Sequence, residues 1–377
     1  IKQLCPQLLL SVRLNLDDFT PGGLKLTESL QICQSLEQAG IHVLHVSCGT
    51  YPSGLNSIEP SSYPEGWRMY LAQEAKKVVS IPVIGGGMIR QPAFAEQVLK
   101  NGQADFVFLA RPLLADPDWV QKAAQGRDRD IRPCIVCNQC IGNKFKGLSL
   151  HCTVNPHVGK EKEPPIISYR KGSRRKAVVI GSGPAGIQAA LTLDRYGLKV
   201  VLYEQESKIG GMLNLASIPP YKYRIKHYRD YLQHCLQQSG VETILGHKYV
   251  PGDLSIDNPD YVVVASGSLS RIPEQWKYSA GGKGYTVNEL FERPQVVEGK
   301  TAVVVGGGLT GCEAADYLAT NGKQVILLEQ QGQLAPSMEK KNRRDLLNRL
   351  RAAGVVIKLD TKVTDIDNGR MQLVDSQ

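Results

Sequence analysis

Short runs of branched apolar residues alternate along the chain with longer stretches in which apolar positions recur every three or four residues. The runs fall at 8–14, 43–47, 82–86 and 106–109. Between the first two, residues 27–39 carry Leu30, Cys33 and Leu36 at helical spacing and stop at Gly40, a residue suited to the left-handed end of a helix. Strand, helix, strand repetition predicts a parallel sheet covered by helices. Four such units amount to half of an eight-stranded barrel. After a basic, proline-containing stretch at 160–175 a new strand is predicted over 177–180, and the main domain boundary is placed there. Two strand-glycine-helix units follow, at 176–204 and 301–329, each continued by more α/β pattern.

With 377 residues and 42% hydrophobic content the chain can bury the cores of two or three domains. No run approaches the roughly 18 apolar residues of a membrane span, and the N-terminus has no basic-then-apolar leader. A soluble, cytoplasmic protein without membrane contact is therefore expected. The chain starts at Ile1 in what reads like the middle of a domain, so a fragment is expected. Its net charge is +9, but the basic residues are scattered apart from Arg170, Lys171, Arg174, Arg175 and Lys176, which read as a solvated linker and not as a nucleic-acid surface. The positive excess also suits phosphate-bearing cofactors and an anionic substrate.

Four of the nine cysteines crowd together, as Cys134-Ile-Val-Cys137-Asn-Gln-Cys140 and, after eleven residues, Cys152. A disulfide framework would spread them along the chain. Three closely spaced thiolates with a distant fourth can supply one sulfur to each iron of a four-iron, four-sulfur cluster. Tetrahedral zinc is the alternative, although zinc sites more often pair two Cys-x-x-Cys knuckles and zinc carries no electrons. Cys5, Cys33, Cys48, Cys235 and Cys312 read as packing residues.

The strand at 177–180 is followed by Gly181-Ser-Gly183-Pro-Ala-Gly186, a helix, a second strand over 200–203, and Glu204. The glycines permit a tight turn and close approach of a pyrophosphate to N–H groups at the helix start, and the acid is placed to accept from ribose hydroxyls. A second unit, Val303-Val-Val-Gly306-Gly-Gly308-Leu-Thr-Gly311, reaches Glu329 after a strand over 324–328. A carboxylate there favours a free 2′-hydroxyl and repels a 2′-phosphate, so NADH is expected over NADPH.

These residues together resemble the iron–sulfur NADH:flavin oxidoreductases, the family of 2,4-dienoyl-CoA reductase and trimethylamine dehydrogenase. The resemblance runs through Ser11-Val-Arg13-Leu, Ala110-Arg111-Pro-Leu-Leu-Ala-Asp116-Pro, Arg132-Pro-Cys134 to Asn155-Pro156, the Gly181 fingerprint, Gly210-Gly211, Ile218-Pro-Pro-Tyr-Lys222 and Val262-Val-Val-Ala-Ser-Gly267. It implies an α/β fold made of the C-terminal half of a TIM (β/α)8 barrel, an iron–sulfur loop, and Rossmann-like FAD- and NAD-binding domains. The implied division is 1–130 for the partial FMN-binding barrel, 131–160 for the 4Fe-4S segment, 161–175 for a linker, 176–286 for FAD and 287–377 for an incomplete NAD(P)H domain. The first half of the barrel and the usual return strand of the FAD domain are expected to be missing, which would leave the piece alone inactive.

The resemblance further implies that Arg13 sits near the flavin pyrimidine ring, where a cation stabilises reduced flavin. Gly87, Met88, Ala110 and Arg111 would surround the FMN phosphate. Ala185, Gly211, Met212, Lys222, Val250 and Gly267 would join Gly181, Gly183, Gly186 and Glu204 around FAD, and Gly306, Gly308, Gly311 and Glu329 would hold NADH. Electrons would pass from NADH to FAD, singly through the cluster, and to FMN, which would reduce a small-molecule substrate with a C=C bond conjugated to a carbonyl. Tyr51 falls near the position where dienoyl reductases carry a histidine; it either donates the proton or packs against flavin or substrate. An amine dehydrogenase running electrons outward, and an inactive truncated chain, are the rival readings. Homo-oligomerisation stays open.

Overall fold

Four parallel strands in sequence order, β1 (Ser11–Asn15), β2 (Val43–Ser47), β3 (Val83–Gly85) and β4 (Phe106–Val107), make the sheet of the first of two units into which this computed structural model divides, Ile1–Val158 and Gly159–Gln377. The residues described are 1, 3–163, 175–273, 284–367 and 370–375. Helices α1 (Leu26–Gln38), α2 (Met69–Lys76) and α3 (Pro92–Lys100) connect the strands. Period-two alternation sends Leu44 and Val46 into the core with Cys33, Leu71, Val83 and Val98, while the alternate residues Arg13, His45 and Ser47 occupy the other face. Arg13 and His45 are register partners on neighbouring strands. Helix α1 ends as predicted, with Gly40 at φ +88. The predicted strands at 82–86 and 106–109 are shorter in the structure, because the backbone leaves the ladder at Gly86 and Phe108 to build the turns described below. The unit continues through α4 (Arg111–Ala115), α5 (Trp119–Ala124) and α6 (Gln139–Phe145).

The second unit holds two parallel sheets and a hairpin. Strands β5 (Lys176–Ile180), β6 (Lys199–Tyr203), β7 (Glu242–Ile244) and β8 (Tyr261–Val264) take the order β7-β6-β5-β8, with helices α7 (Pro184–Arg195), α8 (Leu213–Ala216), α9 (Tyr223–Gln237) and α10 (Asp253–Asp257) between them. This order places the crevice of a doubly wound sheet at the C-terminal end of β5, where the chain turns into the Gly181 loop. After α11 (Val287–Glu292) come β9 (Thr301–Val305), α12 (Leu309–Thr320), β10 (Gln324–Leu328), α13 (Lys340–Ala352) and β11 (Val356–Lys358), giving the sheet order β11-β10-β9. An antiparallel hairpin of β12 (Thr361–Asp367) and β13 (Arg370–Asp375) follows. Leu215 and Ile218, which follow the first fingerprint, pack against the core of Leu327, Leu346 and Leu350 that surrounds the second.

The expected linker over 161–175 lies mostly outside the described residues, as do Arg170, Lys171 and Arg174. The other two members of the basic run, exposed Arg175 and half-buried Lys176, have partners in the fold. Arg175 Nη1 donates to the Tyr261 hydroxyl at 2.8 Å, and Lys176 Nζ pairs with Asp257 at 2.7 Å, because β5 lies beside β8 and brings these side chains together. Among the described residues no helix is long and apolar enough to cross a membrane.

Candidate functional site

The C-terminal ends of β3 and β4 run directly into two tight turns, Gly86-Gly87-Met88 and Phe108-Leu109-Ala110-Arg111. Strand C-terminal ends are where barrel folds gather their chemistry. At Gly87 the backbone takes φ +148, and a Cβ there would lie 2.4 Å from Arg68 Nε; Met88 follows at φ +58. Gly87, Met88, Ala110 and Arg111 thus come together, as expected, around a cleft of roughly 410 Å³ including the solvent at its mouth. Glu59, Arg68 and Phe108 line the same cleft.

Glu59 is 3% exposed, and its carboxylate sits between two guanidiniums, with Arg111 Nη2 at 2.7 Å and Arg68 Nη1 at 3.4 Å. Trp67 Nε1 adds a hydrogen bond at 3.1 Å. Burial pushes the Glu59 carboxyl up, but Arg68, Arg111 and the hydrogen bonds outweigh it and leave the pKa below the usual carboxylate value. One carboxylate against two guanidiniums leaves a net positive cleft, the charge a phosphate group requires.

Arg13 donates through Nη1 to His45 Nε2 at 2.6 Å and through Nη2 to Ser47 Oγ at 3.1 Å, and its guanidinium lies 5.0 Å from the centre of the Phe108 ring. Burial, then the charges of Arg13 and Arg68, lower the His45 pKa, so the imidazole stays neutral and accepts the Arg13 proton donor. Tyr51 stands apart. It opens a 3₁₀ turn over Tyr51–Asn56, is 82% exposed, and meets Phe145 edge-on at 6.1 Å instead of lining the cleft.

Cys134, Cys137, Cys140 and Cys152 all line one second cavity, of roughly 310 Å³. The loop achieves this through two left-handed residues between the cysteines, Val136 at φ +54 and Asn138 at φ +57. Asparagine tolerates that conformation, whereas a β-branched valine is strained in it. Arg111 Nη1 donates to Asn138 Oδ1 at 2.5 Å, and Asn138 Nδ2 donates to the Glu59 carbonyl at 3.0 Å, which pins the loop. All nine cysteines are free. Among the described residues no three His, Cys, Asp or Glu side chains converge closely enough for a single metal ion. Zinc would draw its thiolates to within about 3.8 Å of one another. Four cysteines lining one cavity are a donor set that would fit a four-iron cluster, one thiolate to each iron. Burial pushes the Cys140 thiol up to about 11 and raises Cys134 as well, so loading such a group would release protons.

The two glycine loops are near copies. A Cβ on Gly186 would fall 1.8 Å from the Gly181 carbonyl oxygen, and one on Gly311 would fall 1.9 Å from that of Gly306, so these glycines serve helix–strand packing. Gly183 and Gly308 differ: a Cβ on either would meet nothing within 4 Å. Neither packing nor a positive φ requires glycine there, whereas a pyrophosphate approaching the helix N-terminus does. Gly211, at φ +49, closes the first cradle, since its Cβ would stand 3.0 Å from Gly183 Cα.

Glu204 and Glu329 are both buried and both clasp their own loop. Glu204 Oε2 accepts from Ser182 N at 2.8 Å and Oε1 from Glu206 N at 3.0 Å; Glu329 Oε2 accepts from Gly307 N at 2.5 Å and Oε1 from Gln331 N at 2.7 Å. Each acid fixes its loop and keeps only its remaining lone pairs for a ribose. Lys222, expected at FAD, forms an ion pair with Glu313 on α12. Ala185, Met212 and Val250 are exposed, and Gly267 turns at φ +73 beyond β8. Glu59, Arg68, His45, Phe108 and Asn138 escaped the sequence reading; only the polar alternation of β2 and the position of Asn138 between ligands hinted at them.

Residues 2–130 match the NADH:flavin oxidoreductase / NADH oxidase family, and residues 175–376 match the pyridine nucleotide-disulphide oxidoreductase family. The NADH oxidase of Thermoanaerobacter brockii is 42% identical over 95% of this chain and 55% of its own length. The cinnamate reductase of Clostridium sporogenes is 29% identical over 84% of this chain and 47% of its own length. A solved 2-naphthoyl-CoA reductase in complex with 2-naphthoyl-CoA superposes with a TM-score of 0.89 at 24% identity, over 96% of this chain and 55% of that one. The chain spans about half the length of the curated relatives it matches. Members of the family are oxidoreductases that use FMN, FAD, a 4Fe-4S cluster and NADH. With a cleft at the strand ends of one unit and two glycine cradles in the other, the chain belongs to the NADH:flavin oxidoreductase / NADH oxidase family, joined to a pyridine nucleotide-disulphide oxidoreductase module.

Proposed function

We propose that the parent protein is an NADH-dependent reductase of a C=C bond conjugated to a carbonyl, with the cysteine segment relaying electrons between its two flavin sites. The observation that carries this reading is the shared wall of two cavities. Arg111 and Cys134 line both the positive cleft and the cavity ringed by the four cysteines. A redox group held by those thiolates lies against the cleft, which is the arrangement a relay needs.

When bound, the flavins supply hydride-exchanging rings and the four-iron cluster supplies a one-electron centre. The protein does the rest. Arg111, Arg68 and the Gly87-Met88 turn would hold the FMN phosphate, and Arg13, steadied by neutral His45, would offer a cation to the flavin. In the second unit the Gly181 loop with Gly211 cradles the FAD pyrophosphate at the start of α7, and the Gly306 loop does the same for NADH. The negative charge of Glu329 would repel a 2′-phosphate, which favours NADH over NADPH. The substrate class follows the cinnamate reductase relative.

Cys137→Ala in the full-length protein tests the relay. NADH should still bleach the flavin of the second unit, while bleaching of the FMN of the first unit and turnover of cinnamate stop. Undiminished turnover overturns the relay, and anaerobic bleaching by methylated amines but not by NADH overturns the direction of electron flow.

A further inference from the structure

A single buried carboxylate holds the charged side chain that, with Cys134, lines both the cleft and the cysteine cavity. Arg111 lines the cleft and the cysteine cavity, and it makes hydrogen bonds with Glu59 Oε2 at 2.7 Å, the Glu59 carbonyl at 3.2 Å and Asn138 Oδ1 at 2.5 Å. Arg111 therefore spends its fork on Glu59 and on the loop that carries Cys137 and Cys140. Glu59 also accepts Asn138 Nδ2 on its backbone carbonyl at 3.0 Å, so it grips the cysteine loop directly as well as through Arg111. Its carboxylate further engages Arg68, whose Nε donates to the Gly86 carbonyl at 2.9 Å in the glycine turn of the cleft.

An arginine facing two anion-binding sites would turn toward whichever is more negative. Glu59 removes that freedom by accepting Nη2 on its carboxylate and Nη1 on its backbone carbonyl, which sets the guanidinium between them. Breaking such a buried pair leaves an uncompensated charge, felt first at the guanidiniums that Glu59 faces, Arg111 at 2.7 Å and Arg68 at 3.4 Å. We propose that Glu59 is the positioning residue of the electron path: it holds Arg111 between the flavin-phosphate cleft and the cysteine cavity and thereby couples the charge in one to the reduction potential of the other. This rests on the cofactor assignment above. Glu59 touches neither a reacting atom nor a ligand sulfur in this scheme; it acts through Arg111 and Asn138.

The test uses the full-length protein loaded with FMN, FAD and cluster, and reads the cluster midpoint potential by an EPR-monitored redox titration. Glu59→Gln keeps the shape and one acceptor while removing the charge, and it should move the cluster to a more positive potential. Arg111→Gln should move it to a more negative one. The double variant should sit at the potential of Arg111→Gln alone and not at the sum of the two opposed shifts, because sites that act through each other are not additive. Glu59→Asp should restore part of the wild-type value. Additive shifts, or a Glu59→Gln potential equal to wild type, overturn the proposal. If Glu59→Gln does not fold, the wild-type protein decides. After FMN removal, inorganic phosphate should shift the cluster potential relative to chloride at equal ionic strength, and an unchanged potential overturns the coupling. Protein that takes up neither flavin nor iron defeats the functional reading itself, a result separable from a loaded protein in which Glu59 is inert.

Discussion

Gly183 and Gly186 stand three residues apart and have opposite reasons to be glycine. A Cβ on Gly186 would overlap the Gly181 carbonyl, so Gly186→Ala should cost about 1–3 kcal/mol of stability through overpacking. Gly183 caps α7 in open space, so Gly183→Ala should cost less than about 1 kcal/mol and yet lose flavin. Thermal unfolding of the flavin-free proteins beside retained 450 nm absorbance checks this; equal flavin retention by Gly183→Ala and wild type contradicts it. Glu204 offers a pH test. Burial would raise its carboxyl, but Ser182 and the Glu206 amide donate to it and hold it below the usual carboxylate range. A carboxylate depressed on folding adds stability above its unfolded pKa of about 4.3 and loses it as pH falls through the folded value. Glu204→Gln should therefore melt earlier near neutral pH, with the gap closing below about pH 4. A gap constant across that range would show that the charge contributes nothing. The fingerprint residues were legible in the sequence because a glycine loop between a strand and a helix is a local device. Glu59 and Arg68 were not, because their partners lie 52 and 18 residues away, at Arg111 and Gly86.

At the scale of elements, the cysteine loop depends on one asparagine. Asn138 supplies both the left-handed turn and the hydrogen bonds to Arg111 and Glu59. Asn138→Gly keeps the turn and should cost about 1–3 kcal/mol for the lost bonds. Asn138→Ala loses the bonds and adds about 1–2 kcal/mol of backbone strain. The alanine variant should melt lower and release iron faster to a chelator; the reverse order would mean that the turn is not what positions the cysteines. The predicted strands coincide with the observed ones where the chain stays in a ladder, as at β2 and β10, and are too long at β3 and β4. There the apolar run continues, but the backbone turns to form the cleft.

For the molecule as a whole, each unit owns a core: Leu44 is fully buried in the first and Leu346 is 1% exposed in the second. Calorimetry should resolve two transitions, with Leu44→Ala lowering one and Leu346→Ala the other, by about 2–5 kcal/mol each. One transition moved by both substitutions would make the units a single cooperative body. The sequence by itself determined the α/β layout, the two glycine loops between strand and helix and the crowding of four cysteines, since each rests on periodicity or on residues close together in the chain. Tertiary structure alone decided that Lys222 pairs with Glu313, that Tyr51 is exposed beside Phe145, and that Arg111 is gripped by Glu59 between two cavities. Those outcomes depend on which distant side chains share a buried space, and a buried charge must find its counter-charge there regardless of separation along the chain.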